Sequence, residues 1–411
     1  MNTLSQAEAL RQAEELVGGA DSNIEVIPDR NGLAQLLLAC DQAGRKVRVK
    51  FGVDPTSPDL HLGHTVGLRL LKRFQDQGHE VILIIGGYTA QLGDPTGRNA
   101  ARPPLTEEQV AANARTYLDQ VRLILDMEKV RLVNNADWLS GVDKIKLAAR
   151  VTANQLLAKD GFGSRLAQNQ PLGLHELFYP LLQGFDSVQV EADIEIGGSD
   201  QRFNILMGRQ LQPQFGQKPQ LAVLLPLLVG CDGERKMSKS LGNAIGLTDN
   251  PDDMFAKVMG LGDSLIVPFT ELASSAGRAQ VEAVKAELLA GGNPKISKEN
   301  LAVRLVTEFH GAAAAQAARN EWNRVHSKRE LPADMKNHEL AQATEVARVL
   351  KDSGLAPSVN QARRLIEGGG VRLDGVKVEA VNQVLAVPPP AGQVLQVGRR
   401  LFVRLIPAAA V

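Results

Sequence analysis

Two short stretches carry residues whose types and spacing could do chemistry on a polyphosphate. Lys236-Met237-Ser238-Lys239-Ser240 sets two lysines three residues apart, in a segment entered through Asp232-Gly233, a pair that favours a turn. Far upstream, His61-Leu62-Gly63-His64 sets two histidines three apart at the start of a helical pattern. Histidines so spaced share one face of a first helical turn, where the positive end of the dipole favours anions, phosphates above all. Gly63 between them lets a flat ring lie against the backbone. The same histidines also suit a metal half-site or a solvated surface, although no third ligand stands at a regular spacing. The lysines also suit a plain helix surface. Against that, they follow an apolar run and a Gly turn, in a segment poor in anchoring apolar residues. That setting suits a mobile cationic loop closing over a polyphosphate, and ATP is the ligand that both motifs could serve.

Three more constellations fit this theme. Gly93-Asp94-Pro95-Thr96-Gly97, followed by Arg98 and Arg102, is a second candidate cationic loop; no GxxxxGK[ST] sequence is present, which excludes a P-loop. Ile196-Gly197-Gly198-Ser199-Asp200-Gln201 pairs glycines that permit close approach of a ligand with an acid able to accept from ribose hydroxyls, though a simple strand-exit turn reads the same. Tyr179, Gln183 and Asp186 recur at i, i+4 and i+7 among Leu177, Leu181, Leu182 and Phe185. A polar stripe in apolar surroundings needs partners, and a polar ligand is one way to supply them.

These residues need elements to hold them. Residues 5–17 and 31–43 read as helices, Val47 to Val53 as a strand ending near Gly52, and Leu60 to Gln77 as a helix through Val66, Leu68, Leu70, Leu71 and Phe74. Glu80 to Ile85 is a continuous apolar run closed by Gly86-Gly87, as in a buried parallel strand. Strand, helix and strand make a βαβ unit, which predicts a parallel sheet with a right-handed crossover. Thr106 is a good N-cap for a following helix, Lys129 to Val133 a plausible strand, and further helices run through Leu157 and from Leu174 to Gln183. Leu221 to Val229 reads as the last buried strand, leading directly into the lysine segment. From 252 to 325 five stretches have helical periodicity. Residues 326–336 are polar and read as a linker. In the last unit, helices over 344–352 and from the Ser358 cap to Glu367 precede a hairpin turning at Asp374-Gly375. From Arg348 to Arg404 there are nine Lys/Arg against four Asp/Glu. The end, from Pro407 to Val411, reads as a frayed tail.

Length and composition set limits. A chain of 411 residues implies two to three domains. Formal net charge is zero, so any nucleic-acid surface must be local, as the basic C-terminal unit is. Two cysteines without a CxxC pair argue against a disulfide framework or a zinc site and fit a reducing compartment. No signal-peptide core and no run long enough to span a membrane is present, so a cytoplasmic protein is expected.

The histidine and lysine motifs match the two hallmarks of class I aminoacyl-tRNA synthetases. Together with Asp54-Pro55-Thr56, Gly93-Asp94-Pro95, Tyr179-x-x-x-Gln183-x-x-Asp186 and Gly197-Gly198-Ser199-Asp200-Gln201, they make a chain that resembles tyrosyl-tRNA synthetase, in its bacterial branch with an intact lysine motif. The match runs from about residue 35 to 250 and continues into a terminal unit similar to the ribosomal-protein-type RNA-binding module.

The resemblance implies an α/β architecture: a doubly wound parallel-sheet (Rossmann-like, HUP-type) catalytic domain over 1–245, an all-α anticodon-side domain over 246–325, a linker over 326–337 and a small α+β RNA-binding domain over 338–411. It implies a tyrosine–tRNA ligase that uses ATP with Mg²⁺ as substrate and has no tightly bound cofactor or metal site. Its partners would be tyrosine, ATP and tRNA(Tyr), and the assembly a homodimer away from membranes. Thr56, His61, His64, Lys236 and Lys239 would face the triphosphate, with Arg98 and Arg102 closing from the other side. Gly63, Gly198, Asp200 and Met237 would hold the nucleotide, Asp200 at its ribose. Asp94, Tyr179 and Gln183 would hold the tyrosine α-amino group, with Gln201 near the carboxylate and Gly52 and Asp54 in the same pocket. Asp186 would accept from the phenol hydroxyl. That contact would reject phenylalanine without editing, because a site built for a hydroxyl is left unpaired without it; tyrosyl enzymes are the standard example of this asymmetry. One position departs from the pattern. Where many such enzymes carry a tyrosine, Lys50 stands here, and it either reaches Asp186 or the phenol oxygen, or points to solvent. Tryptophanyl-tRNA synthetase shares the motifs and is the alternative enzyme; an RNA-binding paralogue without ligase activity is the alternative of another class.

Overall fold

A computed structural model describes residues 4–19, 22–94, 105–327, 335–398 and 401–408. The expected βαβ unit is present. β2 (Arg48–Val53) and β3 (Glu80–Ile85) pair in parallel along their whole length, and the helix Leu62–Asp76 crosses between them. β4 (Val130–Asn134) continues in parallel beyond β3. The chain then returns to the other side of β2 to add β5 (Ile194–Gly198) and, outside it, β6 (Leu221–Leu225), both parallel. A short strand met earlier in the chain, β1 (Glu25–Ile27), closes that edge antiparallel to β6. The order β1-β6-β5-β2-β3-β4 therefore reverses direction between β2 and β5. In a doubly wound sheet that reversal parts the loops at the carboxyl ends of the two strands and leaves a crevice for ligands. The strands read as unbroken apolar runs because helices cover both faces: β6 is buried throughout, and β3 from Val81 onward.

Several boundaries differ from expectation. The last strand ends at Leu225, not Val229, because Pro226 has no N–H to continue the ladder; Val229 instead makes an isolated bridge to Lys236. The helix from Leu174 continues beyond Gln183 to Gln189 and so carries all of Tyr179, Gln183 and Asp186. β1 has three residues and no pattern to betray it. Helices at Pro251–Met259, Ile266–Ala273, Arg278–Leu289 and Pro294–His310 form the expected helical region. They share one compact unit, Met1–Ala315, with the sheet. Arg69, on the helix that begins at His61-His64, binds Glu308 at 2.5 Å and the Ala273 carbonyl at 3.0 Å, which braces the helical region against that helix.

The second unit, Gln316–Val411, has its own core of Val346, Leu350, Ala362, Ile366, Val371, Leu395 and Leu405. Asn337–Leu340 pairs in parallel with Leu401–Pro407, so a strand begins inside the stretch read as a linker, and Pro407 is ladder rather than tail. Thr344–Glu345 is a short strand, not helix, and the helix starts at Val346. Ser358 caps the helix Val359–Glu367 as expected. Asp374 and Gly375 both take positive φ, as a two-residue hairpin turn requires. The unit is α+β. Among the described residues no helix is long and apolar enough to cross a membrane.

Candidate active site

A cleft of about 700 Å³ opens at the carboxyl ends of β2 and β5. It is lined by Gly52, Asp54, Thr56, His61, Gly63, His64, Asp94, Tyr179, Gln183, Asp186, Gly198, Asp200, Gln201, Lys236 and Met237. Of the candidates among the described residues, only Lys239 stands outside that lining. Arg98 and Arg102 lie outside the described residues.

The two motifs meet through the backbone. Leu62 N–H donates to Ile245 O at 2.9 Å and Leu247 N–H to Leu60 O at 3.0 Å, so the histidines are sewn to the chain just past the lysines. His61 caps its helix: its Nδ1 accepts from Gly63 N at 3.2 Å, while His64 Nδ1 accepts from His61 N at 3.1 Å. A Cβ on Gly63 would stand 3.0 Å from the His61 ring, so a side chain there would crowd the cap. With both Nδ1 atoms accepting, each neutral ring carries its proton on Nε2, which is left as a donor. Burial is the main reason that His61 stays neutral down to about 3 and His64 down to about 4; Lys236 and Lys239 push the same way. The pair thus presents two neutral N–H donors at the start of the helix.

The lysine segment is anchored more firmly than its sequence implies. Met237 is 1% exposed and its N–H donates to Leu228 O at 3.0 Å, which corrects the expectation of a segment without an apolar anchor. Asn243 ties the loop together, accepting from Ser238 N at 2.8 Å and donating to Asp232 at 2.9 Å. Lys236 is paired with Asp200, the expected ribose acid, and Lys239 with Asp59 at 2.6 Å. Gly198 leaves room for Asp200, whose Oδ1 a Cβ would approach to 2.6 Å.

On the other side of the cleft, acids and amides form a connected set. Tyr179 donates its hydroxyl to Asp54 at 2.9 Å, and Thr89 donates to the same carboxylate at 2.7 Å. Asn135 donates to Thr89 at 3.0 Å and to Asp186 at 3.2 Å, and Trp138 Nε1 donates to Asp186 at 2.8 Å. Burial pushes Asp54 up to about 7 and Asp186 up to about 6; hydrogen bonds oppose it at Asp54, and at Asp186 the Lys50 charge does so first. Burial beside these acids also raises Tyr179 well above its ordinary range. Gln201 donates to Asp94 at 2.8 Å and accepts from Asn204 at 2.8 Å. Gln183 Nε2 is engaged by Glu195 at 3.2 Å, which leaves its carbonyl oxygen for a ligand.

Lys50 takes neither expected course. It is fully buried, reaches neither Asp186 nor solvent, and pairs with Glu195 at 2.9 Å. Asn135, Trp138, Thr89, Glu195 and Asp59 were not singled out in the sequence. For Asn135 a signal existed, because it directly follows β4 and strand ends supply ligands in this kind of sheet. The others are joined by contacts between distant segments that no spacing reveals.

Comparison with known proteins agrees with this geometry. A family profile for class I tRNA synthetases (W and Y) matches residues 42–327, and one for the S4 domain matches residues 346–386. The chain is 45% identical to tyrosine–tRNA ligase 2 of Vibrio parahaemolyticus over 93% of its length and 95% of that protein's. It is 44% identical to the tyrosine–tRNA ligase of Haemophilus influenzae, covering 94% and 97%. In three dimensions it is similar to a C-terminally truncated mitochondrial tyrosyl-tRNA synthetase of Aspergillus nidulans, with a TM-score of 0.62 over 78% of this chain and 99% of that one; at 20% identity this likeness speaks for the fold. Sheet, cleft and sequence agree: the chain belongs to the class I tRNA synthetases of the tryptophan and tyrosine group.

Proposed function

We propose that the protein is a tyrosine–tRNA ligase. It joins tyrosine to ATP, forming tyrosyl-adenylate and pyrophosphate, and then passes the tyrosyl group to the terminal ribose of tRNA(Tyr). The observation that carries the substrate is the buried carboxylate of Asp186, held by Trp138 and Asn135 with capacity left to accept a phenol hydroxyl. The names of the relatives, tyrosine–tRNA ligases, favour tyrosine over tryptophan.

The residues suggest the following course. ATP enters as its magnesium complex; the donors that meet it are Nε2 of His61 and His64, with Lys236 and Lys239 released from Asp200 and Asp59. Thr56 lies beside them, and Gly63, Gly198 and Met237 shape the seat of the nucleotide. Asp200, freed of Lys236, accepts from the ribose. The substrate ammonium sits among Asp54, Asp94, Tyr179 and the Gln183 carbonyl oxygen, and Gln201 stands near its carboxylate. One carboxylate oxygen attacks the α-phosphorus, the bond to the bridging oxygen breaks, and pyrophosphate leaves with the electron pair. No side chain becomes covalently attached: positioning and charge stabilisation carry the step. The terminal ribose hydroxyl then attacks the carbonyl carbon, the bond from that carbon to the phosphate oxygen breaks, and AMP departs with the electron pair while the hydroxyl gives up its proton. The basic S4-type unit suits tRNA contact. A cytoplasmic location fits the bacterial relatives, and β4, whose outer edge has no partner strand among the described residues and whose Leu132 is exposed, offers a face for a second copy in a homodimer.

The test is amino-acid-dependent exchange of pyrophosphate into ATP. Exchange with tyrosine is expected. Exchange with tryptophan instead would overturn the substrate, and none with any amino acid would overturn the enzyme in favour of an RNA-binding role.

A further inference from the structure

We infer that Lys50 is a positioning residue for the amino acid: its buried ion pair with Glu195 fixes which end of the Gln183 amide the substrate meets. The inference rests on the tyrosine reading above. Lys50 and Glu195 are register partners on adjacent strands, β2 and β5, directly below the switch point where the cleft opens. Their side chains are 0% and 2% exposed. The lysine ammonium has three donors, and three acceptors surround it: Glu195 Oε1 at 2.9 Å, Ser187 Oγ at 2.8 Å and the Gln183 backbone carbonyl at 3.0 Å. Glu195 accepts in turn from Ser187 Oγ at 2.9 Å, Gln220 Nε2 at 2.6 Å and Gln183 Nε2 at 3.2 Å.

This net has one possible polarity. A lysine cannot accept and a carboxylate cannot donate, so the Gln183 amide must turn its NH₂ to Glu195 and its carbonyl oxygen towards the cleft. That oxygen is the acceptor an ammonium needs. Without Lys50 the Glu195 carboxylate, which also lines the cleft, is an uncompensated buried charge. It must then take up a proton, which frees Gln183 to turn, or draw the substrate ammonium towards itself. Both outcomes seat the amino acid away from the α-phosphate.

The experiment compares wild type, Lys50→Met and the double variant Lys50→Met/Glu195→Gln, with the Michaelis constants for tyrosine and ATP measured separately by pyrophosphate exchange, alongside thermal melts. Lys50→Met should raise the tyrosine constant at least about tenfold while the ATP constant stays within about twofold, because the lost interaction belongs to one substrate. The double variant removes both charges, so it should recover the melting temperature and keep the raised tyrosine constant, since a glutamine at 195 no longer dictates the Gln183 amide. A double variant with the wild-type tyrosine constant would show that the pair serves folding alone, as would equal rises for both substrates. If Lys50→Met does not fold, the double variant alone decides. Wild type without tyrosine-dependent exchange would instead sink the functional reading on which this rests.

Discussion

Lys236 Nζ lies 2.5 Å from the carboxylate of Asp200, and both side chains line the cleft. The cation that we propose for the triphosphate and the acid that we propose for the ribose therefore neutralise each other. Lys236 is more than half exposed, so the pair is screened and weak, and phosphates can replace it without a large penalty. Lys236→Ala should lower the rate of tyrosine-dependent exchange by about 10²-fold, as loss of one charge-stabilising donor does. Stability in urea melts should stay within about 0.5 kcal/mol of wild type. A large loss of stability with unchanged exchange would place Lys236 in the fold and not in the reaction.

Asp186 meets two donors, Trp138 Nε1 and Asn135 Nδ2, so an amide there must set its own NH₂ against one of them. Asp186→Asn should reduce kcat/KM for tyrosine by about 10- to 100-fold, matching the roughly 1–3 kcal/mol cost of an unpaired buried donor. Phenylalanine, which lacks the hydroxyl, should be affected much less. The ratio of the two kcat/KM values reads the result directly, and an unchanged ratio removes Asp186 from the specificity pocket.

The pH dependence follows from burial. Asp54 titrates near 7 and Asp186 near 6, and each loses its negative charge below that value, so kcat/KM for tyrosine should fall as pH drops through that range. His61 and His64 stay neutral down to about 3 and 4 and should add no inflection there. Stability responds with opposite signs. Between about 4 and 6 the folded Asp186 holds a proton that the unfolded chain lacks, so its contribution is lost as pH rises; His64 lacks a proton that the unfolded chain binds, so its contribution is lost as pH falls. The two nearly cancel. Asp186→Asn should uncover the histidine side, losing about 1.4 kcal/mol per pH unit relative to wild type on acidification across that window. Urea melts at several pH values measure it.

Gly86 marks the tightest approach in the pocket, where a Cβ would stand 1.9 Å from Asp54 Oδ1 and 2.5 Å from Thr89 Oγ1. Gly86→Ala must displace Asp54 from Tyr179 and Thr89. The KM for tyrosine should rise by about tenfold or more, with the ATP constant little changed.

Removing residues from 338 onward takes away the whole buried core of the second unit and no residue that lines the cleft. Pyrophosphate exchange should persist, while charging of tRNA(Tyr) should fall by about tenfold or more as phosphate contacts are lost. Filter assays of charged tRNA beside the exchange assay separate the two steps.

What the sequence made legible was whatever repeats at short range. The βαβ unit, the histidine helix, the polar stripe from Tyr179 to Asp186 and the Asp374-Gly375 hairpin all declare themselves through local spacing, and the structure contains each of them. What it hid was made by distant pairing. Lys50 looks like a strand lysine with an open fate until β5 brings Glu195 beside it, and Trp138 looks like a helix aromatic until it meets Asp186. The lysine segment misled for a related reason: Met237 is one apolar residue among charges, and only the packed fold shows that it is an anchor. β1 is too short for any pattern.

The backbone stitch of Leu60 and Leu62 to Leu247 and Ile245 has a consequence for the birth of the protein. Residues 60 and 62 emerge early in synthesis and their anchors at 245 and 247 only after β6, so the ring that joins them closes once every strand of that sheet has been made. Closing so long a loop is entropically unfavourable, and contacts of high sequence separation form slowly. A chain that ends before residue 245 therefore holds His61 and His64 without the backbone partner that fixes them.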